Sequence, residues 1–226
     1  MQQLIDDPVL TLLLLVGILL AFALHEMGHA FSAWAFGDPT PREHGRITLN
    51  PIAHLDPVGT IMLVVSFLLL GFPFGFAVTP INESKMRRPR LHGVLVALAG
   101  PLMNLLILVA CLVGVILGAR GLTAGEEAPM WLELLFMTAT FNAFLIVFNL
   151  LPVPPLDGSR VVGGLMDDHT RHEWRKLDQY GIFIILALVF ILGGPFQQLV
   201  SQLQGALLDL VVQFVGRFVV DTGAVA

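Results

Sequence analysis

Two residue types with metal and proton chemistry meet at helical spacing in His25-Glu26-Met27-Gly28-His29, an H-E-x-x-H motif. On a helix, His25 and His29 lie one turn apart on the same face, so both imidazoles can reach one metal ion. Glu26 stands beside them, placed to take a proton from water. A catalytic zinc centre usually has three protein ligands and keeps a further position for water, whose pKa it lowers from about 15.7 towards 7. The motif therefore points to hydrolysis at one Zn²⁺ ion. Glu26 would be the base that later passes its proton to the leaving amine of a cut peptide bond.

The setting is a membrane. The motif lies in a hydrophobic segment over residues 8–36, with Leu12-Leu13-Leu14-Leu15-Val16 and Ile18-Leu19-Leu20 leading into it. That length crosses about 30 Å of hydrocarbon, and ionisable groups inside a membrane mark function by default. Of 226 residues, 56% are hydrophobic and 13% charged, against about 25% charged in a soluble domain. The reading is an all-α polytopic membrane protein forming a single membrane-embedded domain over residues 1–226. The net charge of −5 is dispersed and no basic run is interleaved with aromatics, which argues against a nucleic-acid partner. The single Cys111 excludes an intrachain disulfide and a thiolate metal cluster.

Spans are expected over about 8–36, 91–119 and 130–151, with a shorter one over 179–194 that needs its flanks to cross. Residues 58–78 are apolar but broken by Gly71, Pro73 and Gly75. Residues 196–220 are amphipathic. Phe196, Leu199, Val200, Leu203, Leu207, Leu210, Val211, Phe214 and Phe218 share one side, and Gln197, Gln198, Ser201, Gln202, Asp209, Gln213 and Arg217 the other. That pattern suits an interfacial helix or a span with its polar face against the bundle. A short strand is expected at Ile47-Thr48-Leu49.

Basic loops favour the cytoplasm. This puts 79–90 (Lys85, Arg87, Arg88, Arg90) and 159–178 (Arg160, Arg171, Arg175, Lys176) inside, and 120–129, with Glu126 and Glu127, outside. The leader Gln2-Gln3-Leu4-Ile5-Asp6-Asp7 has no Lys or Arg, so the first segment is expected to be a retained span entered from outside rather than a cleaved signal peptide. Both flanks of 58–78 then fall on the cytoplasmic side, and that segment is expected to be re-entrant, turning near 71–75. The active site is expected in the cytoplasmic half of the cell inner or plasma membrane.

The third ligand must reach the depth of His25 and His29. Asp157 is the best candidate: it follows an inward-running helix that Pro152, Pro154 and Pro155 terminate, and Gly158 lets the backbone turn. A carboxylate there is costly unless it binds a cation; the competing role is a cap for a helix beginning at Ser159. His54, in the loop after the motif, faces either the substrate or solvent. His44, His92, His169 and His172 read as loop or interfacial residues. Asn104, Asn142 and Asn149 either line a water path or bond between helices at about 1 kcal/mol each; for Asn142 the second is favoured.

The helix carrying His25-Glu26-x-x-His29, the element Gly100-Pro101-Leu102-Met103-Asn104 and the run Asn149-Leu150-Leu151-Pro152-Val153-Pro154-Pro155-Leu156-Asp157-Gly158 together resemble the site-2 proteases, the intramembrane zinc metalloproteases. The resemblance implies one zinc ion on His25, His29 and Asp157, with Glu26 as the base. It also implies that Asn149 and Asn104 help to hold the substrate strand. Members cut transmembrane helices of other proteins, often releasing a regulator, after the substrate helix unwinds locally; single-span membrane proteins are the substrates expected here. The loop over 120–129 leaves no room for an inserted PDZ domain, and the C-terminal stretch none for a CBS pair, so a compact, core-only form is expected. Two other classes use the same groups: a non-haem iron enzyme with a two-His, one-carboxylate triad, and a metal-binding membrane protein without protease activity, such as a metal transporter. Glu26 beside the ligands favours hydrolysis over the first. The scarcity of ionisable groups along the other spans disfavours the second.

Overall fold

The computed structural model describes residues 8–48, 50–54, 59, 61, 79–123 and 126–221. Among these residues the chain is helical and forms no strand. In order, the helices are α1 (Pro8–Ala35), α2 (Thr40–Glu43), α3 (Pro89–Ala119), α4 (Met130–Asn149), α5 (Asp157–Leu165), α6 (Asp168–Lys176), α7 (Gly181–Phe190) and α8 (Gly193–Asp221). Single tight turns at Pro51–His54, Glu83–Lys85 and Leu177–Tyr180 separate some of them. Four helices, α1, α3, α4 and α8, are long and apolar enough to cross a membrane. At 1.5 Å per residue, the 28 residues of α1 span about 42 Å and the 20 of α4 about 30 Å. The chain is a polytopic helix bundle.

α4 is the centre of the bundle. Phe141, Asn142, Ala143, Phe144, Leu145 and Ile146 are consecutive and all buried, the pattern of a helix surrounded by protein. One side of α4, at Ala139, Ala143 and Ile146, packs with Leu108, Cys111 and Leu112 of α3 and with Val211, Val215 and Val219 of α8. Another side, at Phe141, Phe144 and Leu145, packs with Leu14, Ile18 and Ala21 of α1 and Val200 of α8. Cys111 is buried in the first of these clusters.

α1 and α3 cross closely because the residue at the contact is a glycine. A Cβ at Gly28 would stand 2.7 Å from the Ala99 carbonyl oxygen and from Met103 Cγ. Small residues that let backbones approach are the usual device where lipid removes any hydrophobic gradient between helices. The chain leaves α1 and enters α3 at the same end of this pair. The Arg87 N–H donates to the Phe36 carbonyl at 3.1 Å, His92 stacks on Phe36 at 4.3 Å between ring centroids, and the Asn82 N–H donates to Asp38 Oδ2 at 2.6 Å. The re-entrant path expected for 58–78 lies outside the described residues, apart from Gly59 and Ile61.

Three expectations need amendment. Ile47 and Thr48 lie in a bend, not a strand, and Leu49 is outside the described residues. Among the described residues no strand pairs with them; the Thr48 carbonyl accepts from His54 Nε2 at 2.8 Å. The segment expected to span at 179–194 is the ten-residue helix α7, about 15 Å long and so about half of a hydrocarbon core; the chain turns at Ile191 and begins α8 at Gly193. In α8 the inward stripe is Val200, Val211, Val215 and Val219, while Leu199, Leu203, Leu210 and Phe214 are exposed. The polar side chains Gln197, Gln198, Ser201, Gln202, Asp209, Gln213 and Arg217 are exposed too, rather than set against the bundle. In lipid a leucine gains little by turning inward, so fit decides, and the narrower valines take the contact.

Candidate metal centre

His25 and His29 occupy the face of α1 turned to α3, and α3 fixes how they point. His25 Nδ1–H donates to Asn104 Oδ1 at 3.0 Å, and His29 Nδ1–H donates to the Val96 carbonyl at 2.7 Å. Each bond commits the proton to Nδ1 and leaves Nε2 as a lone pair aimed forward, the arrangement that orients a ligating histidine. The two Nε2 atoms are 3.0 Å apart. Gly100 lies opposite them: a Cβ there would sit 2.6 Å from His25 Nε2 and closer still to His29 Nε2. The glycine leaves open the space the lone pairs face.

Asp157 arrives from the other side of the bundle. After α4 the chain turns at Leu150 and Leu151, and Pro152, Pro154 and Pro155 supply no N–H to continue a helix. Gly158 is needed for closeness rather than for a left-handed turn. It has no positive φ, but a Cβ on it would overlap the carbonyl oxygens of Leu150 and Leu151. That tight return sets Asp157 as the first residue of α5. Leu156 is the residue before the helix, and no side chain caps it, so the capping role weighed for Asp157 is not what its carboxylate does.

Asp157 Oδ2 lies 3.2 Å from His25 Nε2, and Oδ1 lies 3.3 Å from His29 Nε2. Oδ2 is buried and receives no hydrogen bond, because the near imidazole has its proton on the far nitrogen. Two imidazole nitrogens and a carboxylate thus converge with no donor between them in this tautomer, an arrangement a cation would stabilise. For an ion with tetrahedral bonds of about 2.0–2.1 Å, ligand atoms stand about 3.3 Å apart; the two Nε2 atoms are 3.0 Å apart, each has a carboxylate oxygen at 3.2–3.3 Å, Oδ2 for His25 and Oδ1 for His29, and one ligand atom from each residue lies within 4.8 Å of the others. His25, His29 and Asp157 are the one such group among the described residues.

These groups lie on the wall of a cavity of about 930 Å³. Its lining includes the apolar Phe22, Phe144, Leu145 and Phe148 and the polar Asn82, Glu83, Arg160, Arg175 and Asp178. Ion pairs join the elements around it. Glu83 accepts from Arg171 and Arg175 of α6, and Arg160 Nη2 stands 2.7 Å from Asp178 Oδ2. Glu26 is buried on the same wall, and the Thr79 hydroxyl donates to its Oε2 at 2.6 Å. Nothing in the spacing of the sequence pointed to Thr79, which is 53 residues from Glu26.

The remaining candidates separate. Asn149 lies on the cavity wall, with its Nδ2 donating to the Leu145 carbonyl. Asn104 is fully buried behind His25 and is not on that wall. His54 is also buried, bonded to the Thr48 carbonyl, and is not on the wall. Asn142 donates to the Thr138 carbonyl of its own helix, and among the described residues to no other helix.

The sequence matches Peptidase family M50 over residues 13–192. The chain belongs to this family, the site-2 proteases. A similar protein from Bacillus subtilis (strain 168), named "Putative zinc metalloprotease YwhC", is 37% identical over 177 residues, 77% of this chain and 78% of the relative. "Putative zinc metalloprotease Rip2" of Mycolicibacterium smegmatis is 31% identical over 181 residues, 79% of this chain and 66% of its own. The protein of the same name from Mycobacterium tuberculosis (strain H37Rv) is 30% identical over 176 residues, 78% and 66%. No solved structure matches the chain.

Proposed function

We propose that this chain is a zinc metalloendopeptidase that hydrolyses peptide bonds within transmembrane segments of single-span membrane proteins. One observation carries the reading: His25, His29 and Asp157 bring a ligand atom each to within 4.8 Å of one another, beside Glu26 on a cavity wall. The names of the relatives support both zinc and proteolysis as the chemistry. In this reading His25 and His29 hold Zn²⁺ through Nε2 and Asp157 through its carboxylate. When bound, the ion supplies Lewis acidity, lowering the pKa of water and polarising a carbonyl. Glu26 accepts the proton and hands it to the leaving amine. Asn149 offers its side chain to the substrate backbone.

The depth of the site favours a membrane substrate. His29 and His25 lie six and ten residues before the end of α1, about 9–15 Å into the helix. Phe22, Phe144 and Phe148 suit apolar side chains, while the polar lining residues suit the water that hydrolysis consumes. The basic segments 79–90 and 159–178 support an orientation with these polar residues towards the cytoplasm of the inner or plasma membrane.

The test uses purified protein in detergent or liposomes with single-span substrates, wild type against E26Q, with and without a chelator. Cleavage inside the transmembrane segment, lost with chelator and in E26Q, is expected. Cleavage that survives both would refute the reading, as would metal flux into liposomes without cleavage.

A further inference from the structure

Glu26 must present one oxygen to water, yet a glutamate side chain turns about three bonds, and α1 supplies nothing that holds its tip. Among the described residues, one side chain bonds to this carboxylate, that of Thr79. We propose that Thr79 is a positioning residue for Glu26: its hydroxyl holds Oε2 and leaves Oε1 turned to the reacting water. The proposal rests on the metalloprotease reading above and adds to it a residue outside the three sequence elements that carried the resemblance.

The geometry favours a built contact over a chance one. The Thr79 hydroxyl is 2.6 Å from Glu26 Oε2, a charge-assisted distance, and 3.4 Å from the Glu26 backbone carbonyl. Thr79 is held independently of that bond. Three residues on, the Asn82 N–H donates to Asp38 Oδ2 at 2.6 Å, and Asp38 is fully buried with its Oδ1 taken by the Thr40 N–H at 3.0 Å. Asp38 stands just beyond α1, so the segment over 79–82 is tied to the α1 end of the molecule twice, once at Asp38 and once at Glu26. Thr79, Asn82 and Glu26 all line the same cavity. A hydroxyl also suits a partner whose proton comes and goes, since it donates to a carboxylate and can accept from a carboxylic acid.

The test uses the full chain in detergent with a single-span substrate and compares T79V, which keeps the shape, with T79S, which keeps the hydroxyl. T79V is expected to lower kcat about ten- to a hundredfold, the range for one hydrogen bond to a charged group. KM should stay within about twofold, and metal content, measured separately by elemental analysis, at one ion per chain. T79S is expected to recover most of the rate. A T79V protein that turns over like wild type overturns the proposal. So does a T79S protein as slow as T79V, or loss of metal from T79V, which would make the contact structural. A wild-type protein that cuts nothing sinks the metalloprotease reading, and this proposal with it; a wild type that cuts, matched by T79V, sinks this proposal alone.

Discussion

Replacing Gly100 by alanine puts one methyl group where the two histidine lone pairs meet. The new Cβ would lie 2.6 Å from His25 Nε2 and nearer to His29 Nε2. Carbon and nitrogen need about 3.5 Å, so the ring nitrogens must retreat by about 1 Å. Metal–ligand bonds tolerate about 0.2 Å. Retreat is opposed from behind, because both Nδ1 atoms are bonded to the same helix that carries Gly100, at Asn104 and Val96. Moving α3 away would break those bonds and open the contact at Gly28. The backbone effect has the opposite sign: alanine within a helix is favoured over glycine by about 1 kcal/mol. Displacing two hydrogen-bonded imidazoles opposes that gain, so G100A is expected to lose some stability in the metal-free state while still folding. It should bind zinc at least about 100-fold more weakly, a loss of about 2.7 kcal/mol. Zinc affinity would be read by competition with a chromophoric chelator, and stability by thermal unfolding in detergent with metal removed. A folded G100A that binds one zinc ion per chain at wild-type affinity would refute the reasoning.

Other substitutions separate the groups of the site. E26Q should keep its zinc but lose at least about a hundredfold in kcat, as expected for removing a general base, while D157N should lose metal affinity and activity together; elemental analysis beside a cleavage assay distinguishes them. N104A removes the acceptor that fixes the His25 tautomer, and a fall of about 10- to 100-fold in zinc affinity is expected from titration. G158A would drive a methyl group into the carbonyls of Leu150 and Leu151, costing about 1–3 kcal/mol and lowering Tm; an unchanged Tm would show that the return to Asp157 is not as tight as described. Chelation of the wild type should lower Tm as well, since the ion binds the folded site and not the unfolded chain.

The sequence by itself carried everything that depends on spacing along one helix. His25 and His29 four apart, Glu26 between them, and long apolar runs at 8–36, 91–119 and 130–151 need no knowledge of neighbours, because helical periodicity and hydrocarbon thickness decide them. Asp157 was also legible, since a carboxylate after a proline-broken helix needs a partner. Features set by contact between distant segments were not. The roles of Asn104 and Val96 in turning the imidazoles, of Gly100 in keeping space before them, and of Thr79 on Glu26 all arise where α3 or the 79–82 segment meets α1. Gly158 was read as a turning residue, yet its place is decided by the carbonyls packed on it. The inward face of α8 was not legible either: the amphipathic pattern left an interfacial helix or a span with its polar face inward, yet a valine stripe packs on α3 and α4. Lipid is as apolar as the bundle, so the inward side is chosen by fit, which exists only once the helices are assembled.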